Sequence, residues 1–172
     1  MTVTIYVKND GGVVVALVVL VGALAMTMVG ALSLYASRNV LLARLLCGWA
    51  NVANAVTHVL LMVLLRSDTE RFLKAGIDDA DNLVGPGVLM LLNLVVGARS
   101  LRGAGPTAAF AWNLFIAVSG SLLPVVWLAF LDEGLARWPY PLVFLWLGIY
   151  AFESMGFFCS CAWFALRDAK AD

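Results

Sequence analysis

The sequence predicts an all-α fold: a polytopic membrane bundle of five transmembrane helices plus one short interfacial helix, or four spans if the short third segment does not cross. Three observations predict it. Of 172 residues, 63% are hydrophobic and 13% charged, whereas a soluble domain is closer to half apolar and a quarter charged. The apolar residues come in long runs, and a span needs about 20 of them. Ten of the eleven acidic residues fall in loops, tails or span ends, Glu153 being the exception. The whole chain, residues 1–172, reads as a single transmembrane domain.

The first span is expected over about residues 13–36. The polar stretch before it, with Lys8 and Asp10, and the length of the apolar run disfavour a cleaved signal peptide. Arg38 and Asn39 close it. The second span is expected over 40–65, ending at Arg66. Composition then turns charged, and Ser67-x-x-Glu70 has the form of a capping box ahead of Phe72, Leu73 and Ile77. That pattern predicts an interfacial helix over about 67–77 with its apolar residues toward lipid.

The third span is expected over 83–101. Its core of about 16 residues covers only about 24 Å at 1.5 Å per residue, so a tilted or re-entrant segment is the alternative. Pro86 suits a first helical turn. Arg99 to Pro106, with Gly103 and Gly105, reads as a turn. The fourth span, 107–131, contains Pro124, which should kink it near Gly120. Trp138-Pro139-Tyr140-Pro141 opens the fifth, 142–166, with aromatic anchors at its ends.

Five spans put Arg38, Arg44, Arg99, Arg102, Arg167 and Lys170 on one side, with only Asp168 and Asp172 as acids. The other side carries five basic and eight acidic residues. Basic counts alone barely discriminate, but the short loops at Arg38 and Arg99 hold no acid. These loops and the C-terminus are therefore expected inside, and the N-terminus outside. A bacterial plasma membrane or an organelle inner membrane would accept such a chain.

Polar residues inside the apolar runs carry the functional information. Cys47, Asn51, Asn54 and His58 are spaced four, three and four, which puts them on one helix face, continued by Arg44. Counting about 1.5 Å per residue from the acidic side, Asn54, Ser119 and Glu153 lie about 18 Å deep and Asn93 about 15 Å. His58 stands about one turn nearer that surface. Such a belt can hold a polar ligand, an ion or a short water chain. Asparagine and serine also join membrane helices by hydrogen bonds with no ligand involved. An ionised carboxylate at this depth, however, costs several kcal/mol unless paired, protonated or hydrated. Glu153, with His58, Asn54, Asn51, Asn93, Ser119 and Tyr150, forms the expected ligand or proton path.

No catalytic or metal-ligating set is expected. His58, Glu153 and Cys47 are the nearest approach to a zinc set, with Cys47 about three turns from His58. Cys159 and Cys161 are two apart and point to nearly opposite sides of a helix, which indicates packing. Asp78, Asp79, Asp81 and Asn82 miss the calcium-loop spacing. No cofactor is expected, though bound lipid is compatible with such a bundle. Eleven basic residues balanced by eleven acidic ones leave no basic stripe for nucleic acid. Membrane lipids are the expected partners. Ala23, Thr27 and Ala31 form a small-residue face where another membrane subunit or a second copy could dock.

Three function classes fit. One is a small bundle binding or passing a small solute or protons. Another is a non-catalytic structural or assembly subunit of a larger membrane complex. The third is a lipid-modifying enzyme using Glu153 and His58 for proton transfer.

Overall fold

The computed structural model describes the backbone of residues 10–67, 69–70, 83–130 and 140–168. Side-chain environments are described for residues 21–22, 24–67, 69–70, 83–119 and 145–167. Among these residues there are five helices and no strand: α1 (Asp10–Ala36), α2 (Val40–Ser67), α3 (Val84–Leu101), α4 (Pro106–Phe130) and α5 (Tyr140–Asp168).

The helix ends follow from local chemistry. Beyond α1, the Arg38 N–H donates to the Tyr35 carbonyl and the Asn39 N–H to the Leu34 carbonyl, both at 3.1 Å. This is a Schellman closure, and its left-handed position is taken by Arg38, at φ 51°. Asn39 then caps α2, its Oδ1 accepting the Leu42 N–H at 3.0 Å. The same closure ends α3: the Gly103 N–H donates to the Ser100 carbonyl and the Ala104 N–H to the Arg99 carbonyl, both at 2.9 Å. Here a glycine, at φ 78°, occupies the left-handed position without a Cβ penalty. Pro106 is the first residue of α4, where its fixed φ fits and its missing N–H costs nothing. The helix continues through Pro124.

One expectation is modified. Ser67 does not open an interfacial helix. It lies in the last turn of α2 and its hydroxyl donates back to the Leu64 carbonyl at 2.9 Å. Thr69 likewise donates to the Leu65 carbonyl at 2.7 Å, because short hydroxyl side chains bond to carbonyls three or four residues back when the helix continues. The remainder of that expected interfacial helix, and the acidic run at 78–82, lie outside the described residues. The third helix, Val84–Leu101, falls on the expected 83–101, and its 18 residues span about 27 Å.

Val40–Ser67, Val84–Leu101 and Leu145–Arg167 are long and apolar enough to cross a membrane. The apolar stretches of α1 and α4 with described side chains, Leu24–Ala36 and Pro106–Ser119, are shorter. Met26, Val29, Val63, Val95 and Phe115 are all more than half exposed. Side chains of this kind covering the outside of a bundle suit lipid rather than water.

α2 is the hub and packs most extensively on α3 and α5, while α1 leans mainly on α5. Glycine makes the α2–α3 crossing close. A Cβ on Gly97 would come within 3.0 Å of the Gly48 carbonyl oxygen and 3.2 Å of the Val52 nitrogen. Leu34, Ala43, Cys47, Ala109, Cys159, Ala162 and Trp163 form the buried apolar cluster. Ala31 is buried as well and shares a groove with Ala162 and Ala165, so that end of the small-residue face of α1 is taken up by α5.

Candidate functional site

The polar face of α2 is the spine of the site. Cys47, Asn51, Asn54 and His58 are each no more than 3% exposed, because α3 and α5 close over the face on which their spacing sets them. Two levels can be distinguished along it.

At the first level, Asn51 Nδ2 donates to the Cys47 carbonyl at 2.8 Å, while its Oδ1 is buried with no partner. From α4, Asn113 Nδ2 donates to the Ala109 carbonyl at 2.8 Å and lies 3.8 Å from Cys47 Sγ. Ser100 of α3 brings its hydroxyl to 3.9 Å from the same sulfur. Gly156 of α5 admits this convergence: a Cβ there would meet Asn113 Oδ1 at 2.5 Å and Asn51 Nδ2 at 3.5 Å. Four helices thus meet around the Cys47 thiol.

At the second level, Asn54 joins the two titratable groups. Its carbonyl oxygen lies 2.8 Å from His58 Nδ1. A carbonyl can only accept, so Nδ1 carries the hydrogen and the neutral ring keeps Nε2 as an acceptor. Thr57 Oγ1 donates to the same carbonyl at 2.7 Å. The side-chain amide of Asn54 stands near the Glu153 carboxyl of α5, which is 8% exposed. Asn54 therefore touches His58 through its backbone and faces Glu153 with its amide. Tyr150 lies one turn from Glu153, half-buried, its ring 6.2 Å from Trp146 and its carbonyl accepting from Ser154.

Two residues of the expected belt stand elsewhere. Asn93 is 1% exposed, but its amide donates to the Leu89 carbonyl at 2.9 Å and its Oδ1 accepts the Trp112 indole N–H at 3.1 Å. It joins α3 to α4. Ser119 is exposed, and its hydroxyl is occupied by the Phe115 and Ile116 carbonyls of its own helix. Asn113 is the polar side chain that α4 contributes. Ser100 and Gly156 had no signal of their own in the sequence: the first lies at the end of an apolar run and the second among aromatic residues. Cys159 packs in the apolar cluster and Cys161 faces the α1 groove, on different sides of α5. Among the described residues no three His, Cys, Asp or Glu side chains converge.

The helices define the class, a helical bundle with three helices long and apolar enough to cross a membrane, built around a buried polar core. No protein-family model matches the chain, and no curated protein or solved structure compared with it is similar.

Proposed function

We propose that the protein is a five-span bundle, N-terminus outside and C-terminus inside, that binds or passes protons or a small polar solute at the Glu153–Asn54–His58 cluster. The observation that carries this reading is the burial of Glu153 near the Asn54 amide on the polar face of α2, with no cation paired to it among the described residues. A carboxylate inside a membrane needs a cation, a proton or water to offset its cost. A site of this composition exchanges such species, and the Nε2 of His58 offers a second proton acceptor on the same face. Support for five spans comes from the lengths of α1 and α4, 27 and 25 residues, which reach about 40 and 37 Å. The orientation rests on Arg38, Arg44, Arg99, Arg102 and Arg167, which gather at one end of the bundle beside loops without acids. Lipid is the partner of its outward apolar side chains.

The test is proton flux into proteoliposomes loaded with a pH-sensitive dye. Glu153→Gln keeps the shape and a polar group facing Asn54 but not the charge, so flux should fall at least about tenfold, a loss of about 1.4 kcal/mol or more. Ser119→Ala, outside the cluster, should leave flux unchanged. The reading is refuted if wild-type vesicles take up protons or co-supplied solute no faster than empty ones, or if Glu153→Gln transports at the wild-type rate.

A further inference from the structure

We infer that the end of the bundle where α1, α3 and α5 terminate and α2 and α4 begin holds a binding site for a phosphate group, in a cavity of about 630 Å³ between Arg44 and Arg167. This site lies apart from the Glu153 cluster, and no step of the proposed flux uses it.

The argument begins with unmet charge. Arg44 is partly buried, and its Nε is buried with no hydrogen-bond partner. The connections that wall this end, residues 37–39 and 102–105, contain no Asp or Glu. No Asp or Glu is among the described residues lining the cavity, and a guanidinium set into protein without a carboxylate calls for an anion.

The backbone is shaped to hold the guanidinium groups in place. Gly103 and Gly105, both lining the cavity, have φ 78° and 73°. A Cβ on Gly103 would stand 2.5 Å from Arg44 Nη1, and one on Gly105 would stand 3.4 Å from Arg99 Nη2. Two arginine guanidiniums therefore pack against a turn whose positive φ values favour glycine. Trp163, 3% exposed, forms the inner wall. Thr107, in the first turn of α4, adds a hydroxyl, and first-turn N–H groups have no acceptor within their helix.

Size and chemistry select the ligand. The volume is about twenty times the share of one liquid water, ~30 Å³, so the cavity is far larger than a halide requires. The planar forks of two arginines match a tetrahedral oxyanion by paired charge-assisted hydrogen bonds. One rim is Leu41, an exposed apolar residue of the first turn of α2. The site thus sits where charge meets apolar surface, as a phosphate with an ester arm requires, and basic pockets between membrane helices are known to take such groups. A lipid headgroup and a free phosphate share this chemistry.

The full-length protein in neutral detergent distinguishes them by thermal shift, with dioctanoyl phosphatidic acid, dioctanoylglycerol and inorganic phosphate as probes. A rise in Tm with phosphatidic acid but not with dioctanoylglycerol or inorganic phosphate assigns a lipid phosphate. A rise with inorganic phosphate alone assigns a soluble one, and either result supports the site. Arg44→Gln and Arg167→Gln should each weaken the apparent affinity about ten- to a hundredfold. Arg102→Gln, at the same end but not in the lining, should not. The inference is overturned if no phosphate probe raises Tm, or if all three variants respond as the wild type does, or weaken equally, since that would be diffuse charge attraction. Should Arg44→Gln fail to fold, Arg167→Gln carries the test, because that side chain is exposed.

Discussion

Replacing Gly97 by alanine forces a methyl group into the α2–α3 crossing. The new Cβ would lie 3.0 Å from the Gly48 carbonyl oxygen, 3.2 Å from the Val52 nitrogen and 2.9 Å from Val52 Cγ2. Comfortable separations are about 3.5–4.0 Å, so the helices must part by roughly half an ångström. Two of the three obstructing atoms are backbone, and no rotamer change relieves them. Overpacking of this kind costs about 1–3 kcal/mol. Alanine recovers about 1 kcal/mol through its higher helix propensity, leaving a net loss of about 0–2 kcal/mol. A matched variant isolates the packing cost. Gly30 of α1 has nothing within 4 Å of its Cβ position, so Gly30→Ala gains the propensity with no clash. The difference between the two variants should be about 1–3 kcal/mol, with the propensity contribution cancelling. Equilibrium unfolding in mixed micelles with rising SDS measures it. Equal stability of the two variants would refute the close crossing.

Other outcomes follow from single contacts. Trp112→Phe keeps the ring but removes the indole donor, leaving buried Asn93 Oδ1 without its α4 partner, and should cost about 1–3 kcal/mol in the same titration. Asn39→Ala removes the cap on the Leu42 N–H and should cost about 1 kcal/mol, whereas Asn39→Asp should retain most of the wild-type stability. Gly103→Ala places a Cβ in the left-handed region and against Arg44, so a loss of about 1–2 kcal/mol is expected, larger than for Ala104→Ser next to it.

The sequence carried the helices and one face of the site for a simple reason: both depend on local periodicity. Apolar runs mark the helices, and four-three-four spacing alone puts Cys47, Asn51, Asn54 and His58 on a single side. What opposes that side is not local. Counting depth placed Ser119 level with Asn54, yet depth says nothing of direction around a helix. Ser119 is six residues beyond Asn113, about 240° away around the axis, and so faces outward while Asn113 faces α2. Asn93 is likewise at a reasonable depth but points to Trp112, a choice made by which helices are neighbours. Gly48, Gly97 and Gly156 have meaning only once a second helix is placed against them. Arg44 and Arg167 count in the sequence as topological charge. The turn at Gly103 and Gly105 is what brings the first of them under a loop and across from the second.

The partner of α1 bears on how the chain is assembled. Of the five described helices α1 is made before the others, yet it rests mainly on α5, which follows them. From Ala36 to Tyr140 is 104 residues, about 5–20 s of synthesis at 5–20 residues per second. Once Leu101 ends α3, with 39 residues still to go to Tyr140, the hub formed by α2 and α3 can close, while α1 waits in the bilayer with its docking surface unmatched. α5 is thus the clasp that brings α1 home.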